Sequence, residues 1–74
     1  MLIYRIDVLA ELKKKGYSTT RLQREKLIAG ANITRLRNGV MVGNIALDTI
    51  CRLLHKQPGS IIKWIPDEID MEEP

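Results

Sequence analysis

Apolar residues recur at helical spacing through most of the chain, and short turn signals separate one run from the next. From Ile6 to Leu12 the apolar positions follow the i, i+3, i+4 pattern of an amphipathic helix. Three lysines then lead into Gly16, a residue type favoured just past a helix end. The pattern predicts helix 1 over residues 5–15. Residues 1–4 either extend this helix or form a short β-like arm.

Helix 2 is predicted over residues 19–26. Ser18 is a good N-cap, and Tyr17 before it is placed to pack on Leu22 as a hydrophobic staple. Residues 27–29 then form a turn that contains neither glycine nor proline. A helix this short is marginal in water by itself, so it must pack against its neighbours.

Helix 3 is predicted over residues 30–37. Ile33 and Leu36 lie three apart and form its inward pair, and Asn38-Gly39 is a typical helix end. The start of the helix is weakly marked because alanine, here Ala29, is a poor N-cap. Two short helices joined by a brief turn are the arrangement of a helix-turn-helix, whose second helix enters the major groove of DNA.

Two more helices are predicted in the second half of the chain. Helix 4 spans residues 44–55, where apolar side chains recur at i, i+3, i+4 and i+7 (Leu47, Ile50, Cys51 and Leu54). Helix 5 begins at Pro58, a residue type suited to the first helical position, and stops before Pro66. Its apolar residues are Ile61, Ile62, Trp64 and Ile65.

The composition agrees with a small globular domain that has an aliphatic core. The chain has 74 residues, of which 45% are hydrophobic and 28% charged, with one Trp, two Tyr and no Phe. Together with the periodicity, this predicts an all-α fold of five short helices packed around one core. Trp64 lies among isoleucines and belongs either to that core or to a contact between two copies of the chain.

The cysteine and histidine content excludes several classes of protein. A single cysteine excludes an internal disulfide, and one Cys with one His cannot supply the four ligands of a structural zinc site. Cys51 and His55 lie four apart, but Cys51 falls on the apolar stripe of helix 4 and is predicted to pack in the core. We expect no metal, no cofactor and no catalytic group set.

The termini add an expectation about location. No apolar run approaches the length of a membrane span, and charges at Arg5, Asp7 and Glu11 interrupt any apolar segment of a signal peptide. We therefore expect a protein of the reducing cytoplasm, with no membrane partner and no small-molecule ligand.

The charge is divided unevenly along the chain. All 12 Lys and Arg residues lie within residues 1–66, against four acids, which leaves this part at +8. Residues 67–74 hold five acids and no base, a charge of −5. A basic body favours a polyanionic partner, nucleic acid first, although charge alone fits an ordinary solvated surface as well. Together with the helix-turn-helix arrangement, it predicts a DNA-binding domain over residues 1–66, followed by a flexible acidic tail over residues 67–74. The tail either folds back to compete with DNA or acts only as a solubilising end.

These features together resemble the lambda-repressor/Cro-like family of bacterial and phage regulators, over about residues 5–65. Its small single-domain members are the most similar. The resemblance rests on the helix 2 to helix 3 anchors and on the segment over residues 47–61, which resembles the family's fourth helix and its link to the fifth. The anchors are Leu22, Ile28, Ile33, Leu36 and Asn38-Gly39. The chain departs from the family at Gln23, where alanine is frequent, at Leu27, where glycine is frequent, and at Ala29, where a polar cap is usual.

The outward side of helix 3 holds the candidate base readers. Opposite Ile33 and Leu36 the helix shows Ala31, Thr34, Arg35 and Asn38. Arg35 is the strongest of them, because a guanidinium bonds guanine O6 and N7 together; its alternative is a local salt bridge. The resemblance implies base reading at Gly30, Ala31 and Arg35, and phosphate contacts at Thr19 and Asn38. The full predicted base-reading set is Gly30, Ala31, Asn32, Thr34 and Arg35.

The predicted phosphate-binding set surrounds these readers. It comprises Ser18, Thr19, Arg21, Arg24, Arg37 and Asn38. For Arg21 and Arg24 an ordinary solvated surface arginine is the equal alternative.

The sequence thus predicts a transcriptional regulator that binds double-stranded DNA and catalyses nothing. We also expect a homodimer, joined through helix 5 with Trp64 or through residues 1–4, because one small module reads few base pairs. The alternative is a protein-interaction module of the same fold that modulates another regulator, since Gly30 and Ala31 leave helix 3 unusually bare.

Overall fold

The computed structural model describes residues 1–66, and it is mostly helical with one small sheet. Over those residues the elements, in chain order, are β1 (Leu2–Tyr4), α1 (Val8–Lys14), α2 (Thr19–Arg24), α3 (Gly30–Arg37), α4 (Asn44–Leu54), α5 (Pro58–Ile61) and β2 (Ile62–Trp64). The acidic tail predicted over residues 67–74 lies outside the described residues.

The core is aliphatic and draws on every helix. The largest fully buried side chains are one from each helix in turn, namely Leu12, Leu22, Ile33, Ile50 and Ile61. No helix is long enough to be stable alone, so the helices are stabilised together by burying these five side chains in one core. The buried pair predicted for helix 3, Ile33 and Leu36, is confirmed.

The all-α prediction is wrong near the two ends of the described residues, where two short strands form. β1 and β2 pair antiparallel, with Leu2 opposite Trp64 and Tyr4 opposite Ile62. The predicted fifth helix ends at Ile61, because Ile62 adopts an extended backbone (φ −127°, ψ 160°) and begins β2. The β-like arm was the correct alternative for residues 1–4. Local periodicity could not reveal this pairing, since the two strands lie about 60 residues apart in the chain.

Trp64 is not a core residue. Its side chain is 61% exposed, and Leu2, its partner across the sheet, is 49% exposed. On the same face of the sheet Tyr4 and Ile62 pack against the core, so the sheet extends past the helices and leaves its outer end in solvent.

The helix boundaries show which caps decide where each helix begins and ends. α1 begins at Val8 rather than at residue 5, because the Asp7 side chain accepts a hydrogen bond from Ala10 N (3.2 Å) and acts as the N-cap. α2 begins as predicted, with the Ser18 hydroxyl accepting from Arg21 N (3.2 Å). The predicted bounds of helix 3 are confirmed.

α4 is rotated slightly from the predicted stripe. Its buried residues are Ala46, Thr49, Ile50 and Leu54, while Leu47 and Cys51 are half-buried at the margin. Cys51 packs against the core without being enclosed by it. The helix ends one residue earlier than predicted because His55 takes the left-handed conformation (φ 54°) and closes it.

Candidate nucleic-acid interface

The turn between α2 and α3 is closed by a lysine. α2 ends at Arg24, and Lys26 adopts a positive φ of 56°, a conformation that glycine takes more easily. Leu27 N then donates to Leu22 O (2.9 Å), and Ile28 enters the core. The predicted helix 2 over residues 19–26 is therefore two residues too long at its end. Lys26, and not Leu27, occupies the left-handed position of this turn.

α3 presents a continuous polar side to solvent. Gly30, Ala31, Thr34 and Arg35 are exposed, and Asn32 is half-buried beside them, so the predicted base-reading set lies together on one side. The Thr34 hydroxyl donates to Gly30 O (3.2 Å), which leaves its methyl group as the outward part of the side chain. Ala29 starts the helix in the N-cap conformation, with no side-chain hydrogen bond.

Asn32 and Arg35 are bonded to each other. Arg35 Nη1 donates to Asn32 Oδ1 at 2.8 Å, so the guanidinium is oriented within its own helix. The local partner of Arg35 is therefore an amide and not the carboxylate of a salt bridge. Both residues line a groove at the start of α4, whose other walls include Leu27, Asn44 and Ile45.

Arg21 is held by three contacts inside the chain. Its Nε donates to Glu25 Oε2 (2.7 Å), its Nη1 donates to Gly16 O (3.0 Å), and its guanidinium lies 4.6 Å from the centre of the Tyr17 ring. The hydrogen bond and the charge of Glu25 raise the pKa of Arg21. The side chain therefore ties the α1–α2 turn to the end of α2, and a phosphate would have to share it with these partners.

The remaining phosphate candidates fall in different places. Ser18, Thr19 and Arg37 line one groove between α1, the start of α2 and the end of α3. Asn38 is exposed at the C-cap of α3, and Arg24 is exposed on α2. The structure therefore brings three members of the predicted set to one groove, while Arg24 and Asn38 lie on other parts of α2 and α3.

Three further residues contact or border this surface and are not in the predicted site sets. Gln23 lies next to the start of α3, where a Cβ at Gly30 would come within 3.4 Å of Gln23 Nε2. Ile45 is 82% exposed beside Asn32 and Arg35. Tyr4 Oη donates to Val40 O (2.9 Å) and accepts from Val42 N (3.0 Å), which holds the segment that follows α3. The exposure of Ile45 could have been predicted from the sequence, because this residue lies off the apolar stripe of α4. The hydrogen bonds of Tyr4 could not, because they join residues far apart in the chain.

Residues 1–66 contain neither a metal-binding cluster nor a membrane-spanning helix. In that part of the chain no group of three or more His, Cys, Asp or Glu side chains is arranged to hold a metal ion. None of the helices described there is long and apolar enough to cross a membrane.

Comparison with known proteins identifies relatives of this helical arrangement. A family model described as a Cro/C1-type HTH DNA-binding domain matches residues 5–67. The chain is similar to the uncharacterized HTH-type transcriptional regulator YozG of Bacillus subtilis (strain 168), with 36% identity over 69 residues that cover 90% of this chain and 80% of the relative. No solved structure matches the chain significantly.

Proposed function

The chain belongs to the Cro/C1-type helix-turn-helix DNA-binding family, and from that premise we propose that it is a sequence-specific transcriptional regulator. It binds duplex DNA with α3 in the major groove. The named relative, a transcriptional regulator by its printed name, supports the regulatory part of this proposal. The lambda-repressor/Cro-like resemblance of the sequence is confirmed by the family match.

The observation that carries the proposal is the exposed side of α3. Its inner residues Ile33 and Leu36 anchor the helix in the core, which leaves Arg35 exposed and Asn32 half-buried beside it. A helix placed in the major groove can present an arginine to the O6 and N7 acceptors of guanine. The bare residues Gly30 and Ala31 allow the start of the helix to approach the base edges closely.

Phosphate contacts provide the affinity in this proposal. Residues 1–66 carry a charge of +8, and the candidate phosphate ligands Ser18, Thr19 and Arg37 line one groove at the end of α3. Neutralising phosphates releases counterions, so the affinity should fall steeply as the salt concentration rises. We assign this role to Ser18, Thr19, Arg24, Arg37 and Asn38, and to Arg21 through the part of its guanidinium that Glu25 leaves accessible.

We propose further that two copies bind together through the sheet end. Leu2 and Trp64 face each other across the strands and are both largely exposed, beside the exposed Met1. An exposed apolar cluster marks an interface more often than a free surface. Sedimentation equilibrium should show a dimer in the wild type, weakened by Trp64→Ser; a monomer at all concentrations up to the millimolar range would refute this assembly.

The test of the function is selection of bound sequences from a random duplex pool at physiological salt. We expect the wild type to enrich a motif, arranged as paired half-sites if it binds as a dimer. Arg35→Ala should lose or relax that motif. Arg52→Ala, which removes one positive charge on α4 outside the proposed interface, is the matched control and should retain it.

A different outcome would favour another function of the same fold. Weak, salt-sensitive binding without any enriched motif would contradict sequence-specific regulation. The protein-interaction alternative would then apply, and the same variants would be used to map binding to a protein partner.

A further inference from the structure

Asn32 and Arg35 form a fixed pair on α3. Arg35 Nη1 donates to Asn32 Oδ1 at 2.8 Å, across one turn of the same helix. Asn32 is half-buried, whereas Arg35 is exposed. The more buried side chain therefore supports the more exposed one, and both belong to α3.

The bond leaves one edge of the guanidinium available. A guanidinium carries five N–H donors in one plane, and the bond to Asn32 uses a single hydrogen on Nη1. Nε and Nη2 form the opposite edge, and no acceptor among the described residues occupies it. Two parallel N–H groups on one edge match the adjacent O6 and N7 acceptors of guanine.

The other arginines of α2 and α3 differ from Arg35 in their hydrogen-bond partners. Arg21 has committed Nε and Nη1 to Glu25 and Gly16. Arg24 and Arg37 make no side-chain hydrogen bond to any residue that the structure describes. Among the arginines of these two helices, and within residues 1–66, Arg35 alone has one side-chain hydrogen bond that orients it and an unoccupied Nε–Nη2 edge.

We propose that Asn32 is a positioning residue that presents Arg35 to a guanine and does not itself read a base. The inference rests on the proposed function. It adds that Arg35 reads a G·C pair, and it changes the role of Asn32 from base reading to positioning. A free arginine loses rotamer freedom when it binds DNA, and a side chain held beforehand loses less. The bond to Asn32 thereby contributes to affinity only in complexes in which Arg35 binds a guanine.

A double-mutant cycle on the selected duplex tests this coupling. Asn32→Ala should weaken binding to that duplex by about 3- to 10-fold, the effect of one hydrogen bond. The same change should have no further effect in an Arg35→Ala background, or on a duplex in which the G·C pair read by Arg35 is replaced. If Asn32 read its own base, the two losses would add and preference at a second base pair would disappear.

Two variants separate positioning from direct reading. Asn32→Asp keeps an acceptor oxygen for Arg35 but removes the amide donors, so it should retain the preference for G·C while its negative charge weakens binding to all duplexes alike. Asn38→Ala, the matched asparagine at the other end of α3, should weaken binding uniformly without changing the preference for any base. Thermal melting of each variant confirms that it is folded.

A measurement on the free protein tests the positioning without DNA. Side-chain ¹⁵N relaxation should show the Nε–H group of Arg35 to be more ordered than that of Arg37, which lies on the same helix without a side-chain partner in the described region. Asn32→Ala should lower the order of Arg35 to that of Arg37.

The outcomes distinguish this inference from the function on which it rests. Failure to enrich any motif would overturn sequence-specific regulation and the guanine assignment together. An enriched motif with additive losses in the cycle, or an Arg35 as mobile as Arg37 in the wild type, would overturn the positioning role alone.

Discussion

At the scale of single residues, Tyr4 has a structural role that the periodicity of the chain does not reveal. Its hydroxyl donates to Val40 O and accepts from Val42 N, so one side chain on β1 satisfies two backbone groups between α3 and α4. Loops carry polar backbone groups that need partners when they are packed against a core. Tyr4 thus fixes the connection that leaves the proposed reading helix.

Removing this hydroxyl should destabilise the fold. Tyr4→Phe keeps the ring but leaves Val42 N and Val40 O without their partner, and we expect the free energy of unfolding to fall by about 1–2 kcal/mol. Urea denaturation followed by circular dichroism measures the change. Tyr17→Phe is the matched control, because the structure records no hydrogen bond from the Tyr17 hydroxyl within the described residues, and it should change stability little.

The same hydroxyl should make stability depend on alkaline pH. Burial raises the pKa of Tyr4 above 10.0, and the hydrogen bond from Val42 lowers it in part. With the folded pKa above the unfolded one, the contribution of Tyr4 is complete below pH 10.0 and is lost as the pH rises through the folded value. The difference in unfolding free energy between wild type and Tyr4→Phe should therefore be smaller at about pH 11 than at about pH 9. A constant difference would show that Tyr4 does not titrate in this way.

At the scale of elements, the sequence predicts the helices, which depend on neighbouring residues, and misses the sheet, which depends on residues far apart in the chain. α3 could be predicted to the residue because Ile33, Leu36 and the Asn38-Gly39 end all lie within the helix or next to it. The pairing of the strands could not, because β1 and β2 gain their hydrogen bonds only when residues far apart in the chain meet. In the candidate site, the outward side of α3 followed from helical spacing. The bond between Asn32 and Arg35 did not, since spacing alone permits several partners for an arginine.

The turn between α2 and α3 offers a test of backbone strain in the helix-turn-helix. Lys26 has a φ of 56°, where a Cβ costs about 1 kcal/mol relative to glycine. We expect Lys26→Gly to raise the free energy of unfolding by about 0.5–1 kcal/mol. Thermal and urea unfolding provide the measurement.

The neighbouring residue supplies the control for that substitution. Glu25 has a negative φ of −89°, so Glu25→Gly gains no relief of strain, and because it also removes the ion pair with Arg21 it should destabilise the fold. Equal effects at the two positions would mean that the left-handed backbone of Lys26 is not what limits stability.

At the scale of the whole molecule, the small sheet joins the two ends of the described chain. Beyond the strand pairs, Arg5 N donates to Ile61 O (2.8 Å) and Ile65 N donates to Met1 O (2.8 Å). The sheet therefore attaches the N-terminal arm to α5 and holds Ile65 beside Met1. These contacts also hold Tyr4 where it reaches the connection after α3, so the two ends of residues 1–66 stabilise the segment that follows the proposed reading helix.

The charge of the molecule as a whole leads to the last prediction. Residues 67–74 carry −5 against the +8 of residues 1–66, so their removal should raise affinity for DNA through electrostatics alone. We expect deletion of residues 67–74 to tighten binding several-fold at about 50 mM salt and to have little effect at about 500 mM, where charges are screened. Fluorescence anisotropy with a labelled duplex measures both affinities. A second variant replaces the five acids by Asn and Gln at unchanged length; it should match the deletion if charge is the cause, whereas wild-type affinity in both variants would leave the tail as a solubilising end.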